Sequence, residues 1–399
     1  MRILFVVQRY GHEVAGGAER HCREFATRLA GRGHAVDVIT TCAVDYLTWA
    51  NVYPEGTADL DGVTVHRLSV AEERRESLFR SLNARAAWGR APLQVQEAWM
   101  RCQGPYVPQL ASWLAARATS YDVVVFFTYL YYTTWAGLPA IAGQVPTVLH
   151  PTAHDEPSLY VDLFDTTFRH PDAFAFSTEE EAALVIGRAG GGTGEVIGIG
   201  VDLDAGEGTG VEAFRSARGL GDRPYLLFVG RVEGGKGSEE MSRFFSAYKE
   251  RNPGPLALVV VGYLAGDLPK HRDVIATGFV DEAEKQAAYA GALALLQPSF
   301  YESFSMVLTE AWAHRRPALV QGHCAVLEGQ ARRSRGGLPY RGYAEFETAV
   351  EWLVSDPDMA RTLGEAGRRY AERNYAWPVV MDRYEDFLGR VAERRMALR

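Results

Sequence analysis

Long apolar runs, paired cysteines and lysine are what this 399-residue chain has least of. No stretch reaches the roughly 20 apolar residues that a membrane-spanning helix needs, so no transmembrane segment is expected, though peripheral membrane contact stays open. The run Ile3–Val7, followed by Gln8 and Arg9, is also too short for the core of a signal peptide. The four cysteines, Cys22, Cys42, Cys102 and Cys324, are scattered and form no CxxC or Cys/His spacing, which excludes a disulfide framework and gives no zinc pattern. A reducing, cytoplasmic setting is expected. Excess positive charge is missing too: 42 basic against 50 acidic residues give a net charge of -8, a field that repels phosphate backbones, so nucleic acid is not an expected partner. Only Lys236, Lys249, Lys270 and Lys285 are lysines, every other basic residue being arginine. A lysine in a glycine-rich setting therefore stands out. No short-period repeat or low-complexity tract is present.

What remains is ordinary globular composition, 47% hydrophobic and 23% charged, in a chain too long for one compact core and so expected to form two domains. Short β-branched runs alternate with longer amphipathic stretches: Ile3–Val7, Val36–Thr41, Val63–Leu68, Val123–Phe127 and Thr147–His150, then Leu226–Val229, Leu256–Val261, Val274–Thr277 and Leu293–Gln297. Such runs read as strands of buried parallel sheets. Between the first two, Ala18, Cys22, Phe25, Ala26 and Leu29 fall at helical spacing and the segment closes on Gly31 and Gly33, giving a βαβ unit. The same grammar restarts at Tyr225. The fold class is therefore α/β, with an N-terminal Rossmann-like domain over 1–205, completed by about 376–399, and a C-terminal one over 206–375. The glycine-rich segment Gly198–Gly206 is expected to be the hinge. Residues 72–118, rich in Arg, Ala and Trp and broken by Pro92, Pro105 and Pro108, read as helical, either a lid or a packed crossover pair.

Three segments carry chemistry. Gly230-Arg-Val-Glu-Gly-Gly-Lys-Gly237 directly follows a strand; its bare amides can approach phosphate oxygens, with Arg231 and Lys236 adding charge at the mouth of the next helix. It nearly satisfies GxxxxGK[ST], but Gly237 stands where a magnesium-holding hydroxyl belongs and Ser238 comes one residue late. In the second segment Glu302 precedes Glu310 by eight residues across a strand-to-helix transition. At about 1.5 Å of helical rise per residue their carboxylates would lie roughly 12 Å apart, too far for one acid/base pair but suited to the two ends of a long ligand such as a nucleotide sugar. Helix-terminal amides from Ser303 through Phe304, Ser305 and Met306 to Val307 would lie between them. The third segment, His150-Pro-Thr-Ala-His-Asp-Glu-Pro157, is a polar loop at the carboxyl edge of the first sheet, where open α/β sheets place ligands. His150 and His154 could ligate a metal at this spacing, with no clear third ligand.

Taken together, Gly16-Gly-Ala-Glu-Arg20, Gly230-Arg231 with Lys236-Gly237, Gly278-Phe-Val280, Glu302-x7-Glu310 and Trp377 in the closing segment resemble the family 4 retaining glycosyltransferases of the GT-B fold, in the family's order and over almost the whole chain. The resemblance implies two Rossmann-like domains facing across a cleft, with a C-terminal helix crossing back to the first domain. It implies transfer of a hexose-type sugar (a hexosyltransferase activity) from a nucleoside diphosphate sugar, as co-substrate, to a small-molecule or glycan acceptor, with retention and without metal or other cofactor. Arg231 and Lys236 would bind the donor diphosphate, Glu310 the ribose hydroxyls, and main-chain groups around Val280 the base. Glu302 and the amides from Ser303 to Val307 would hold the sugar and distal phosphate, Gly16 and Gly17 would let the first domain's backbone close on the phosphates, and His154 rather than His150 would touch the transferred sugar, making His154 and Glu302 the catalytic pair. Ser303 and Ser305 stand where the family often has Gly. Asp202-Leu-Asp204, a metal-binding DxD in the other major glycosyltransferase fold, lies here in the hinge and is read as structural. The alternatives are a sugar phosphorylase or nucleotide-sugar epimerase of the same fold, a P-loop ATPase, and a two-lobed sugar-binding protein.

Overall fold

The computed structural model describes residues 1–86, 91–204, 208–232, 236–264, 266, 268 and 271–396. The chain divides into two compact units, Met1–Gly198 with Met381–Arg399, and Ile199–Val380. The division falls before the expected 205/206 boundary because Val201 pairs with Ala376 in a β-bridge and its amide donates to the Tyr375 carbonyl at 2.8 Å, tying the linker to the second unit. Ala205 and Gly206 of the expected hinge lie outside the described residues.

The first unit is an eight-stranded sheet of β1 (Arg2–Val6), β2 (Ala35–Thr41), β3 (Gly56–Leu60), β4 (Val63–Leu68), β5 (Val123–Phe127), β6 (Thr147–His150), β7 (Ala173–Phe176) and β8 (Gly194–Val196), in the order β3-β4-β2-β1-β5-β6-β7-β8. Only β3 runs antiparallel to its neighbour. The helix Gly17–Gly31 buries His21, Cys22, Phe25, Ala26 and Leu29 along one face and ends where the Gly33 amide bonds the Ala30 carbonyl. Among the described residues of 72–118 there are three α-helices, Glu76–Ala86, Leu93–Gln103 and Leu110–Arg117, with Pro105 and Pro108, which lack a backbone donor, between the last two. Leu82, Trp99, Met100, Leu110 and Leu114 from these helices all enter the unit's apolar core, so the region is packed as a crossover.

The second unit is a six-stranded, wholly parallel sheet of β9 (Tyr225–Val229), β10 (Ala257–Val261), β11 (Val274–Gly278), β12 (Ala294–Gln297), β13 (Ala318–Gln321) and β14 (Gly337–Tyr340), in the order β11-β10-β9-β12-β13-β14. The chain winds one way from β9 and the other way from β12. The crevice between these two strands is thus the topological switch point, where ligands of open α/β sheets bind. The final helix, Trp377–Met396, begins in the second unit and from Met381 onward belongs to the first. There Arg383 donates to the Ile197 carbonyl, Arg390 pairs with Glu195, and Tyr384 packs on Phe25.

Candidate functional site

Apart from Gly16 and Gly17, which lie in the first unit, the expected donor-site residues follow strands at the carboxyl edge of the second sheet. The Gly230 loop leaves β9 and the Pro298–Ser305 loop leaves the adjacent β12, so residues 66 apart in sequence, Lys236 and Glu302, are brought together. Gly237 makes this approach possible: its φ is +71°, and a Cβ there would sit 2.0 Å from the Pro298 carbonyl oxygen. That closeness, and the absence of a hydroxyl at 237, give a physical reason for the departure from a magnesium-binding P-loop. Arg231 begins this loop; Glu233 to Gly235 lie outside the described residues.

Next to Gly237, Lys236 Nζ donates to Glu302 Oε1 at 2.8 Å. The same oxygen accepts from Gln297 Nε2 at 3.2 Å, and that amide also donates to Ser305 Oγ at 2.9 Å. Gln297, at the end of β12 and 4% exposed, therefore orients both the carboxylate and the loop. Glu302 is not helical: the helix runs Met306–Ala313, so helical rise cannot give the Glu302–Glu310 separation, and only Met306 and Val307 of the five expected amides lie in the helix. Ser303 and Phe304 belong to the preceding loop, where the Phe304 carbonyl accepts from buried Gln330. Ser305 caps the helix at φ +75°, a left-handed conformation that favours glycine. Its side chain is fastened by Gln297 instead.

Glu310 lies one turn into that helix and is held from the helix Glu282–Gly291, where Lys285 donates to Oε1 at 3.1 Å and the Tyr289 hydroxyl to Oε2 at 2.9 Å. Lys285 and Tyr289 are four residues apart and so share a helix face. The two carboxylates thus have separate supports. Sequence reasoning named neither Lys285 nor Tyr289 as a site residue. Of the other lysines, Lys249 is buried against Asp273 at 3.0 Å, a structural pair, and Lys270 lies outside the described residues. Val280 sits just beyond β11, before the Asp281 cap of the Glu282–Gly291 helix.

In the first unit, Gly16 and Gly17 begin the helix after β1. Glu19 of this motif is 5% exposed and accepts from Gln8 Nε2 at 2.8 Å and from Arg9 at 2.9 and 2.5 Å, so it anchors the helix to the end of β1. A Cβ on Gly16 would lie 2.1 Å from Glu19 Oε2, so the buried Glu19 carboxylate itself favours glycine there. His150 and His154 part company. His150 is buried, stacked on Phe127 at 4.3 Å and hydrogen-bonded through Nε2 to the Tyr384 hydroxyl at 2.9 Å, and so is not available to share a metal with His154. His21 packs edge-on against it at 4.9 Å. Burial pushes His21 down to about 3 and His150 well below the usual histidine value, so both stay neutral. His154 is partly exposed, with Nδ1 3.9 Å from Glu156 Oε1. Asp204 projects into solvent with its carboxylate 3.9 Å from Arg368. Among the described residues no three His, Cys, Asp or Glu side chains cluster as metal ligands, and no helix is long and apolar enough to cross a membrane.

Residues 16–199 match the glycosyl transferase 4-like domain and residues 211–370 match the glycosyl transferases group 1 family. The chain belongs to the family 4-type glycosyltransferases. It is 28% identical over 407 residues to a glycogen synthase of Mycobacterium tuberculosis, covering 95% of this chain and 92% of that one. In fold it is similar to a sucrose-phosphate synthase from Thermosynechococcus elongatus, at TM-score 0.71 and 19% identity over the whole of both chains. It is also similar to Anabaena HepE solved in complex with UDP-glucose, at TM-score 0.70 and 16% identity over 98% of this chain and 99% of that one. These are GT-B structures, and this glycosyltransferase shares their two-unit α/β fold.

Proposed function

We propose that this glycosyltransferase moves a hexose-type sugar from a nucleoside diphosphate donor to an acceptor hydroxyl or another nucleophile, with retention at the anomeric carbon and without a metal ion. The observation that carries this reading is the pair of lysine–glutamate sites, Lys236–Glu302 and Lys285–Glu310, at the switch-point end of the second sheet. One long ligand with a charged middle and a hydroxyl-bearing group at each end suits such an arrangement, and the UDP-glucose of the like-folded Anabaena protein is a ligand of that kind.

In this reading Lys236 and Arg231 grip the diphosphate. Lys236 Nζ has three donors, so it can keep Glu302 while bonding a phosphate oxygen. Charge on the departing diphosphate is stabilised by Arg231, Lys236 and the amides of Met306 and Val307. Glu310, pre-oriented by Lys285 and Tyr289, accepts from the ribose hydroxyls, and the backbone at Val280 meets the base. Glu302, with Ser303 to Val307, holds the sugar and distal phosphate, Gly16 and Gly17 present bare backbone to the phosphates, and His154 contacts the transferred sugar. Retention is supported by the family resemblance alone.

Calorimetry with free nucleoside diphosphate tests the division of labour. Glu310→Ala should weaken its binding, while Glu302→Ala and His154→Ala should leave it nearly intact and slow transfer, because contacts that strengthen only in the transition state register in turnover. Equal losses of affinity in all three variants would reduce the site to a generic anion pocket.

A further inference from the structure

We propose that Glu181 is a positioning residue for His154, clamping the strained loop that carries it. The inference rests on the role given above to His154. Glu181 lies in the first turn of the helix Glu179–Ala189 and is 1% exposed. Its Oε1 accepts from the Ala153 amide at 2.7 Å and its Oε2 from the Ser177 amide at 2.6 Å. One carboxyl group thereby ties the exit of β6 to the exit of β7, and it does so one residue before His154.

The loop needs holding. Thr152 has φ +48°, a left-handed conformation that is a genuine outlier for a β-branched residue and persists only where the surroundings over-determine it. On its near side the backbone is fixed by the stacked, hydrogen-bonded ring of His150 and by the Tyr129 amide, which donates to the Pro151 carbonyl at 3.1 Å. On its far side the grip on Ala153 comes from Glu181, and the Glu156 amide then turns back to the His154 carbonyl at 2.9 Å. Three consecutive glutamates open the helix, where its dipole favours them, yet only Glu181 is buried. Burying a carboxyl group is costly unless its hydrogen bonds are made. Here both oxygens are committed to backbone amides, and what they secure is the path of the chain into His154.

The test is a double-variant cycle of Glu181→Gln and His154→Ala in the full chain, measuring kcat for sugar transfer and the affinity for free nucleoside diphosphate. Glutamine keeps the shape but turns a donor toward one of the two amides. Displacing a contact group by on the order of 1 Å can cost about 100-fold, so Glu181→Gln should lower kcat by about 10- to 100-fold while the affinity stays within about twofold. Added to His154→Ala it should cost less than about threefold more, since residues acting through one group are not additive. A wild-type kcat in Glu181→Gln, or a loss that adds in full to that of His154→Ala, overturns the clamp. A wild-type kcat in His154→Ala instead refutes the reading of His154, whatever Glu181→Gln does. Should Glu181→Gln not fold, Thr152→Gly frees the same loop at a position that glycine adopts without strain. It should lower kcat by a similar factor with diphosphate affinity unchanged, and an unchanged kcat there overturns the proposal equally.

Discussion

Acid should loosen the first unit through two histidines that have no role in the proposed chemistry. His21 and His150 are each 1% exposed; among the described residues neither ring nitrogen of His21 has a hydrogen-bond partner, nor does Nδ1 of His150. Their surroundings are the rings of Phe25, Phe127 and Tyr384. Burial lowers His21 to about 3 from an ordinary 6.5, and burial with the neighbouring His21 lowers His150 well below that ordinary value. The unfolded chain therefore binds protons that the folded unit refuses. A depressed folded-state value means stability that is full above 6.5 and is lost as the pH falls below it. Between about pH 7.5 and about pH 5.5 each histidine should withdraw stability on the order of 1 kcal/mol.

Glu181 acts with the opposite sign. Burial raises it to about 7, so the folded state holds its proton more tightly, and its contribution fades as the pH rises from 4.5 toward 7. The raw acid profile is consequently a sum of opposed terms, and the variant His21→Leu isolates one of them. Urea unfolding of the first unit, followed by limited proteolysis at each pH, should show the variant gaining on the wild type by on the order of 1 kcal/mol between about pH 7.5 and about pH 5.5. A difference between the two proteins that stays flat over that window would refute the buried, neutral assignment of His21.

Lys236→Ala deletes a charge-assisted phosphate contact worth about 1.5–3 kcal/mol, so donor affinity or turnover should fall about 10- to 150-fold; wild-type kinetics would sink the diphosphate assignment. Glu19→Ala leaves Arg9, itself 4% exposed, as an uncompensated buried cation and should destabilise the first unit by about 3–5 kcal/mol; a denaturation midpoint that does not move would show the pair to be dispensable. Transfer should survive excess EDTA apart from ionic-strength effects, whereas abolition with rescue by a divalent ion would favour a magnesium-dependent reading.

Much of the architecture was legible because strands buried on both faces write themselves as short β-branched runs: Val63–Leu68, Val123–Phe127 and Thr147–His150 match β4, β5 and β6 residue for residue. The strands that sequence reasoning passed over have weaker signatures. Ala173–Phe176 has no β-branched residue and Ala318–Gln321 only one, Gly337–Tyr340 contains Gly and Pro, and Gly56–Leu60 and Gly194–Val196 are edge strands with exposed faces. The helical reading of Glu302 failed for a local reason. Ser305 takes a left-handed φ, so the helix begins only at Met306, and a serine there gives no warning that a glycine would have given.

The candidate site divides along the same physical line. Gly230, Lys236, Glu302 and His154 were legible because each stands in a polar or glycine-rich segment just after an apolar run, a pattern that a strand exit imposes and that little else produces. Gln297, Tyr289, Lys285 and Glu181 hold Glu302, Glu310 and the His154 loop in place from strand ends and helix faces, and there a polar residue at core spacing looks like any other. Their partners are fixed by sheet order. Lys236 meets Glu302, which Gln297 holds from the end of the same strand, because β12 lies beside β9, and Glu181 meets Ala153 because β7 lies beside β6. The groups that would touch substrate are thus written in local sequence, while the groups that set their geometry are written in the topology, and the variants that separate the two are those that change turnover without changing what binds.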